Sequence, residues 1–344
     1  MKARPAVGAG AGVADKAFRK GANQFASNNW AISGRLTESG FGIFANDPHL
    51  PLINPTTLYP IHADNKTFSG GRFNFSGFTF PGIPSVLIGQ NERLAWGATI
   101  ALYDVTSVYL EEVTSGPGGK TVRFRGEDVP ILTVPAVFKI RGKADRVVPI
   151  DVVPHHGPQV PDPDPKDGVA GIEATGMSLR WTGHEPSLET KAFRSLVLAE
   201  SADEFMDAMA FFGVGAQNFL STDADGVVAY SPHAYIPVLT PGARSEATPP
   251  YVVQPGDGSA EWDTNPDGSP KWVPDERIPQ AKDPAAGFLV TTNNDITGVA
   301  QDGNPLNDDL YLYARIADGV RAGQALAELT AEPEGGWTPE QSMG

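Results

Sequence analysis

The chain has 344 residues, 40% of them apolar, a formal net charge of −15 and no cysteine. That composition is globular, long enough for one large domain or about two, and no run approaches the ~18 apolar residues of a membrane-spanning helix. The missing thiols exclude disulfide scaffolds, cysteine-ligated zinc, iron–sulfur sites and a cysteine nucleophile, and the acidity opposes binding to phosphate backbones.

Glycine and proline number 38 and 31, which calls for many turns and short strands, hence a β-rich or α+β fold. Met1 to Ala26 has a glycine-broken apolar stretch, Ala6 to Ala14, followed by Lys16, Arg19 and Lys20. It reads as a linker or propeptide rather than a signal peptide. Trp30–Ser33 and Gly42–Ala45 read as strands joined by a polar turn with Thr37, Glu38 and Gly40. Further strands are expected at Ser85–Ile88, Leu94–Thr99, Thr106–Glu112, Thr121–Arg125, Ala136–Ile140 and Val227–Tyr230. Pro161 to Pro165 marks an exposed loop.

Helices are fewer. Leu188–Glu200 has helical spacing, and Ser201 with Glu204 forms a capping box for the next helix. Residues 240 to 287 read as a long Pro/Gly-rich surface excursion. Asp309–Leu329 predicts the longest helix, with Leu312, Ile316, Val320 and Leu326 on one side. Thr338-Pro339-Glu340-Gln341 starts a helix that Gly344 leaves without a body, as in a truncated chain. Strands and helices do not alternate as βαβ units, so antiparallel sheets are expected.

Familiar catalytic signatures fail. No G-x-G-x-x-G precedes a helix, no Walker lysine loop or H-E-x-x-H occurs, and Gly176-Met177-Ser178-Leu179-Arg180 lacks the second glycine of a nucleophile elbow. His155-His156 reads as a solvated turn without metal spacing, and Asp223-Ala224-Asp225-Gly226 as a β-turn. There remains Ala26-Ser27-Asn28-Asn29-Trp30, by composition a turn entering a strand. It sits where flexible sequence meets the first strand, and cutting Ala26–Ser27 would make Ser27 a chain terminus. A serine hydroxyl needs a base. A free α-amino group, with a reference pKa of about 7.7–8.0, is partly neutral near pH 7 and lies beside its own hydroxyl.

These residues resemble the penicillin acylase family of N-terminal nucleophile hydrolases. Ser27-Asn28-Asn29-Trp30-Ala31 is similar to the start of the family's β chain. Ala45-Asn46-Asp47-Pro48-His49-Leu50, Phe80-Pro81-Gly82-Ile83-Pro84 and the stretch from Ile88 to Thr99 are similar to its next signatures. Gln217-Asn218-Phe219 before the Asp223 turn, and Thr291-Thr292-Asn293-Asn294, fit later blocks in order.

The resemblance implies an α+β fold, an αββα sandwich of antiparallel sheets, here incomplete. It implies residues 1–26 as a spacer end, residues 27–344 as the catalytic β chain cut short, and a missing α chain from the same precursor as partner. It implies an amidohydrolase acting on linear amides, periplasmic or secreted, needing no cofactor. By the resemblance Ser27 is nucleophile and base, Ile100 N–H and Asn293 (Asn294 as fallback) hold the oxyanion, His49 lies near the serine amine, and Arg315 orients the region. Leu50, Ile88 and Ala98 line the acyl pocket. Many members hold a structural calcium, for which Asp104 matches one ligand position while Ser107 stands where an aspartate is common. The competing readings are an inactive fragment and a non-catalytic β-rich binding module.

Overall fold

A computed structural model describes residues 26–160, 175–299, 302–313, 316–331, 333 and 335–343. The spacer up to Phe25, the Pro161–Pro165 loop and Arg315 therefore lie outside the described residues.

Three sheets organise the chain. In the smallest, Ala26–Ile32 lies between Phe288–Thr291 and Ile43–His49, antiparallel to both. The second has seven strands and runs outward from the central Gln217–Asp223 and Leu94–Ile100 pair. The third, around Thr106–Gly116 and Thr175–Trp181, stands to one side and ends in the Leu132–Phe138 and Arg146–Val153 hairpin.

Side-chain alternation decides what each face does. Leu94 and Trp96 point from their strand into an apolar core with Phe219, Leu196, Phe205 and Met209. Helices Glu189–Leu196 and Ala202–Met209 thus cover that face of the seven-stranded sheet. Thr99 points the other way, toward the small sheet, and its hydroxyl meets that of Thr291 at 2.8 Å. On the small sheet's outer face Trp30, Ile32, Phe288 and Val290 pack with Leu329 and Trp337, beside helices Val320–Thr330 and Pro339–Ser342. The order is helix, sheet, sheet, helix: the expected αββα sandwich. No helix among the described residues is long and apolar enough to cross a membrane.

Several expectations change. The first strand begins at Ala26, not Trp30, because Ala26 to Asn29 pair in register with His49 to Asn46. The Ser27 region is therefore strand, not turn. Ser85 to Leu87 is not strand: the Ser85 hydroxyl donates instead to Phe193 O at 3.1 Å. The long helix starts only at Val320. Before it, Leu312 and Tyr313 lie outside any helix and are buried in a second core with Ile236, Val273 and Ile278. Leu312 O accepts Asp104 N–H, and Asn293 O accepts Ala317 N–H, so backbone pairing with distant segments replaces the helix. The same core takes in parts of residues 240 to 287, where Trp262 is also buried; that stretch is not a surface excursion throughout.

His155-His156 is not a solvated turn either. His156 is fully buried, with Nδ1 on Glu111 at 2.6 Å, Nε2 on Glu261 at 2.9 Å, and its ring stacked on Tyr109.

Candidate active site

Ser27 is 6% exposed on the inner strand of the small sheet. Its backbone N–H donates to Asn293 Oδ1 at 2.8 Å, across 266 residues of sequence. Asn293 sits in the left-handed region at φ 65°, which asparagine tolerates better than most residues. Its Nδ2 donates to Ile100 O at 2.9 Å. The fallback, Asn294, caps its own turn instead, accepting Thr292 N–H at 2.9 Å.

The ladder decides where Ile100 points. Ala101 N–H donates to Ala216 O, so Ile100, one residue earlier, directs its N–H and C=O away from the Gln217–Asp223 strand. On that other side the neighbouring strand pairs only as far as Gly89 with Trp96. Ile100 N–H thus faces out of the ladder, and Ile100 lines the same cavity as Ser27.

Asn46 fastens the two sheets together. Its Nδ2 lies 3.1 Å from both Asn28 O on the small sheet and Ala98 O on the large one. Gly97 makes room for it: a Cβ there would lie 2.6 Å from Asn46 Oδ1. We expect Gly97→Ala to displace this amide and destabilise the fold by about 1–3 kcal/mol, measured by urea unfolding; an unchanged midpoint would refute the clamp.

Sequence reasoning missed Arg321, on helix Val320–Thr330. Its guanidinium donates to Ser27 O at 2.7 Å, Asn28 Oδ1 at 2.6 Å, Thr292 O at 2.6 Å and Asn293 Oδ1 at 3.0 Å. One planar fork therefore ties the first strand to the Thr292-Asn293 segment. Burial lowers its pKa, partly offset by Asp318. Nothing in the spacing singled out Arg321; its position beside both segments did.

Leu50, Ile88 and Ala98 line one cavity of about 370 Å³ with Ser27, His49 and Ile100, closed by Phe80, Phe193 and Phe212. His49 holds Asp47 at 2.8 Å through Nε2 and is one of the polar residues lining that cavity. Asp104 lies elsewhere. Its Oδ2 accepts the Tyr311 hydroxyl at 2.7 Å, and burial, opposed by that bond, pushes its carboxyl up to about 6. Ser107 Oγ accepts Trp262 Nε1 at 2.8 Å. Among the described residues, a single engaged carboxylate there does not make the set of about six to eight oxygens that calcium takes.

Two facing antiparallel sheets between helix layers, with a serine early on an inner strand, define the N-terminal nucleophile hydrolase fold. The family model for penicillin amidase matches residues 3–344, and the chain belongs to that family. It is 29% identical over 308 residues to penicillin acylase 2 proenzyme of Pseudomonas sp. strain SE83, covering 89% of this chain and 36% of the relative. It is 24% identical over 323 residues to aculeacin-A acylase of Actinoplanes utahensis, covering 87% and 38%. In fold it is similar to thermostable penicillin G acylase from Alcaligenes faecalis, with a TM-score of 0.67 and 22% identity over 88% of this chain and 49% of that one. The chain thus spans between a third and a half of the length of these proteins.

Proposed function

We propose that this chain is the catalytic part of an amidohydrolase that removes an acyl group from a linear amide, with Ser27 as an N-terminal nucleophile. The observation that carries the reading is the convergence of Asn293 on Ser27 at 2.8 Å. The antiparallel register, Asn29 opposite Thr291, brings position 293 opposite Ser27, and there it is the Asn293 side chain that meets the Ser27 N–H beside an apolar cavity.

Maturation comes first. Ser27 Oγ attacks the Ala26 carbonyl, the C–N bond breaks, and the hydroxyl proton passes to the leaving nitrogen. Water then hydrolyses the ester and leaves a free α-amine. In turnover the same oxygen attacks the acyl carbonyl while that amine takes its proton. Ile100 N–H and the second Nδ2 hydrogen of Asn293 receive the oxyanion. The amine product leaves with the proton, and water cleaves the acyl-enzyme. Arg321 holds Asn293 and the Ser27 backbone in place, and His49 borders the amine. Leu50, Ile88 and Ala98 favour an aliphatic or aromatic acyl group. Penicillin- and acyl-homoserine-lactone acylases among the relatives support this substrate class, and the short coverage supports a partner α chain from the same precursor. Kinship with these acylases is the ground for a periplasmic or secreted enzyme.

Intact-mass measurement of the full-length precursor tests this. Two chains are expected, the second beginning at Ser27 and gaining one acyl mass when quenched with an activated ester. A single uncut chain, or a label at another residue, would overturn it.

A further inference from the structure

We propose that Glu111, His155 and His156 form a binding site for a divalent transition metal of the zinc class. The site stands apart from Ser27 and does not depend on the chemistry proposed there. One ligand atom from each of the three residues lies within 4.8 Å of the others. Glu111 is on strand Thr106–Gly116, and the histidines occupy the turn between strands Arg146–Val153 and Gly157–Val160.

Two of the three carry a buried atom without a partner among the described residues: Glu111 Oε2 and His155 Nε2. Glu111 is 0% exposed. A carboxylate oxygen left orphaned there is costly unless something positive meets it. The third residue is already oriented as a ligand. His156 Nε2 faces Glu261 at 2.9 Å, and Arg180 Nη1 lies 3.5 Å from the other Glu261 oxygen. That is the arrangement by which a carboxylate fixes a metal-binding imidazole and raises its basicity. His156 Nδ1 is then left facing Glu111 Oε1 at 2.6 Å with a shared proton; a metal held by both at about 2.0–2.1 Å requires these two atoms to move apart to tetrahedral spacing. Binding replaces that proton, which leaves to solvent.

Two nitrogens and one carboxylate suit zinc or cobalt rather than calcium or magnesium. A cavity of about 440 Å³ lined by His155, His156, Arg125 and Arg180 gives the fourth position room for water. Ser178 also donates to Glu111 Oε1, so the ligand set is held from two paired strands and a turn of the side sheet.

The test is calorimetric titration of the metal-stripped, full-length gene product with zinc sulfate, and cobalt chloride monitored by visible absorption. We expect a saturable equivalent, a cobalt d–d band of a low-coordinate nitrogen/oxygen site, and at least a tenfold loss of affinity in His155→Ala. His155 is only partly buried, and circular dichroism checks that the variant folds. His62→Ala, an exposed histidine on Asn74, leaves the equivalent unchanged. No saturable zinc binding, or binding that His155→Ala leaves within twofold of wild type, overturns the proposal. So does equal competition by calcium.

Discussion

Ser27→Ala in the full-length precursor is expected to leave the Ala26–Ser27 bond whole and to lower turnover by about 10⁴-fold or more. Both reactions draw on one oxygen atom, so they should be lost together. The fold should survive, because the contacts that hold this residue use its backbone: N–H to Asn293 and C=O from Arg321. Electrophoresis reads the cleavage, a chromogenic acyl amide reads the turnover, and circular dichroism reads the fold. A variant that still splits into two chains and still deacylates would remove Ser27 from the mechanism. The wild-type pH profile offers a further check. Its acid limb should report the α-amine, whose reference pKa is about 7.7–8.0, with the nearby Arg321 guanidinium pushing it downward.

Asn293→Ala is the second large effect, an expected loss of about 10²–10³ in kcat. The amide Nδ2 would donate to an oxygen that becomes anionic only in the transition state, so KM should change much less. Other losses accompany it. Ser27 N–H and Arg321 lose an acceptor, Ile100 O loses a donor, and an alanine must hold φ 65°. Asn293→Asp keeps the acceptor for Ser27 and Arg321 but has no N–H for the oxyanion or for Ile100 O. We expect it to unfold closer to wild type than Asn293→Ala with kcat still depressed; recovery of most of the rate would make Asn293 a residue of the fold alone.

Local chemistry was readable wherever neighbours in sequence are also partners in space. Thr338 and Gln341 make the full capping box at the Pro339–Ser342 helix, each side chain meeting the other's backbone N–H. The Asp223–Gly226 turn closes with Gly226 N–H on Asp223 O. Ser201 caps its helix as expected, although the Glu204 carboxylate goes to Glu200 N–H and not to the cap itself. The Ser27 and Asn293 blocks were found because short, unusual strings occur in a fixed order.

Where periodicity stood alone it misled. Leu312 and Ile316 have helical spacing with Val320, yet Leu312 is buried in a segment that is not helical. Gly319, at φ 78°, precedes the helix and marks where it can begin. His155-His156 has no local signal at all: its partners Glu111 and Glu261 lie 45 and 105 residues from His156.

The amino-acid string alone determined the class of fold and most of the strands that build its centre, because alternation and turn chemistry act over a few residues; Ser27 was picked out by its motif, in a stretch that the pattern alone reads as a turn. Tertiary structure decided that Arg321 reaches Ser27, which way the Asn293 amide turns, and that His156 goes inside between two glutamates. Those outcomes depend on side chains that meet only after the sheets stack. Their energies come from desolvation and hydrogen-bond geometry, and neither is defined until the surrounding layers are in place.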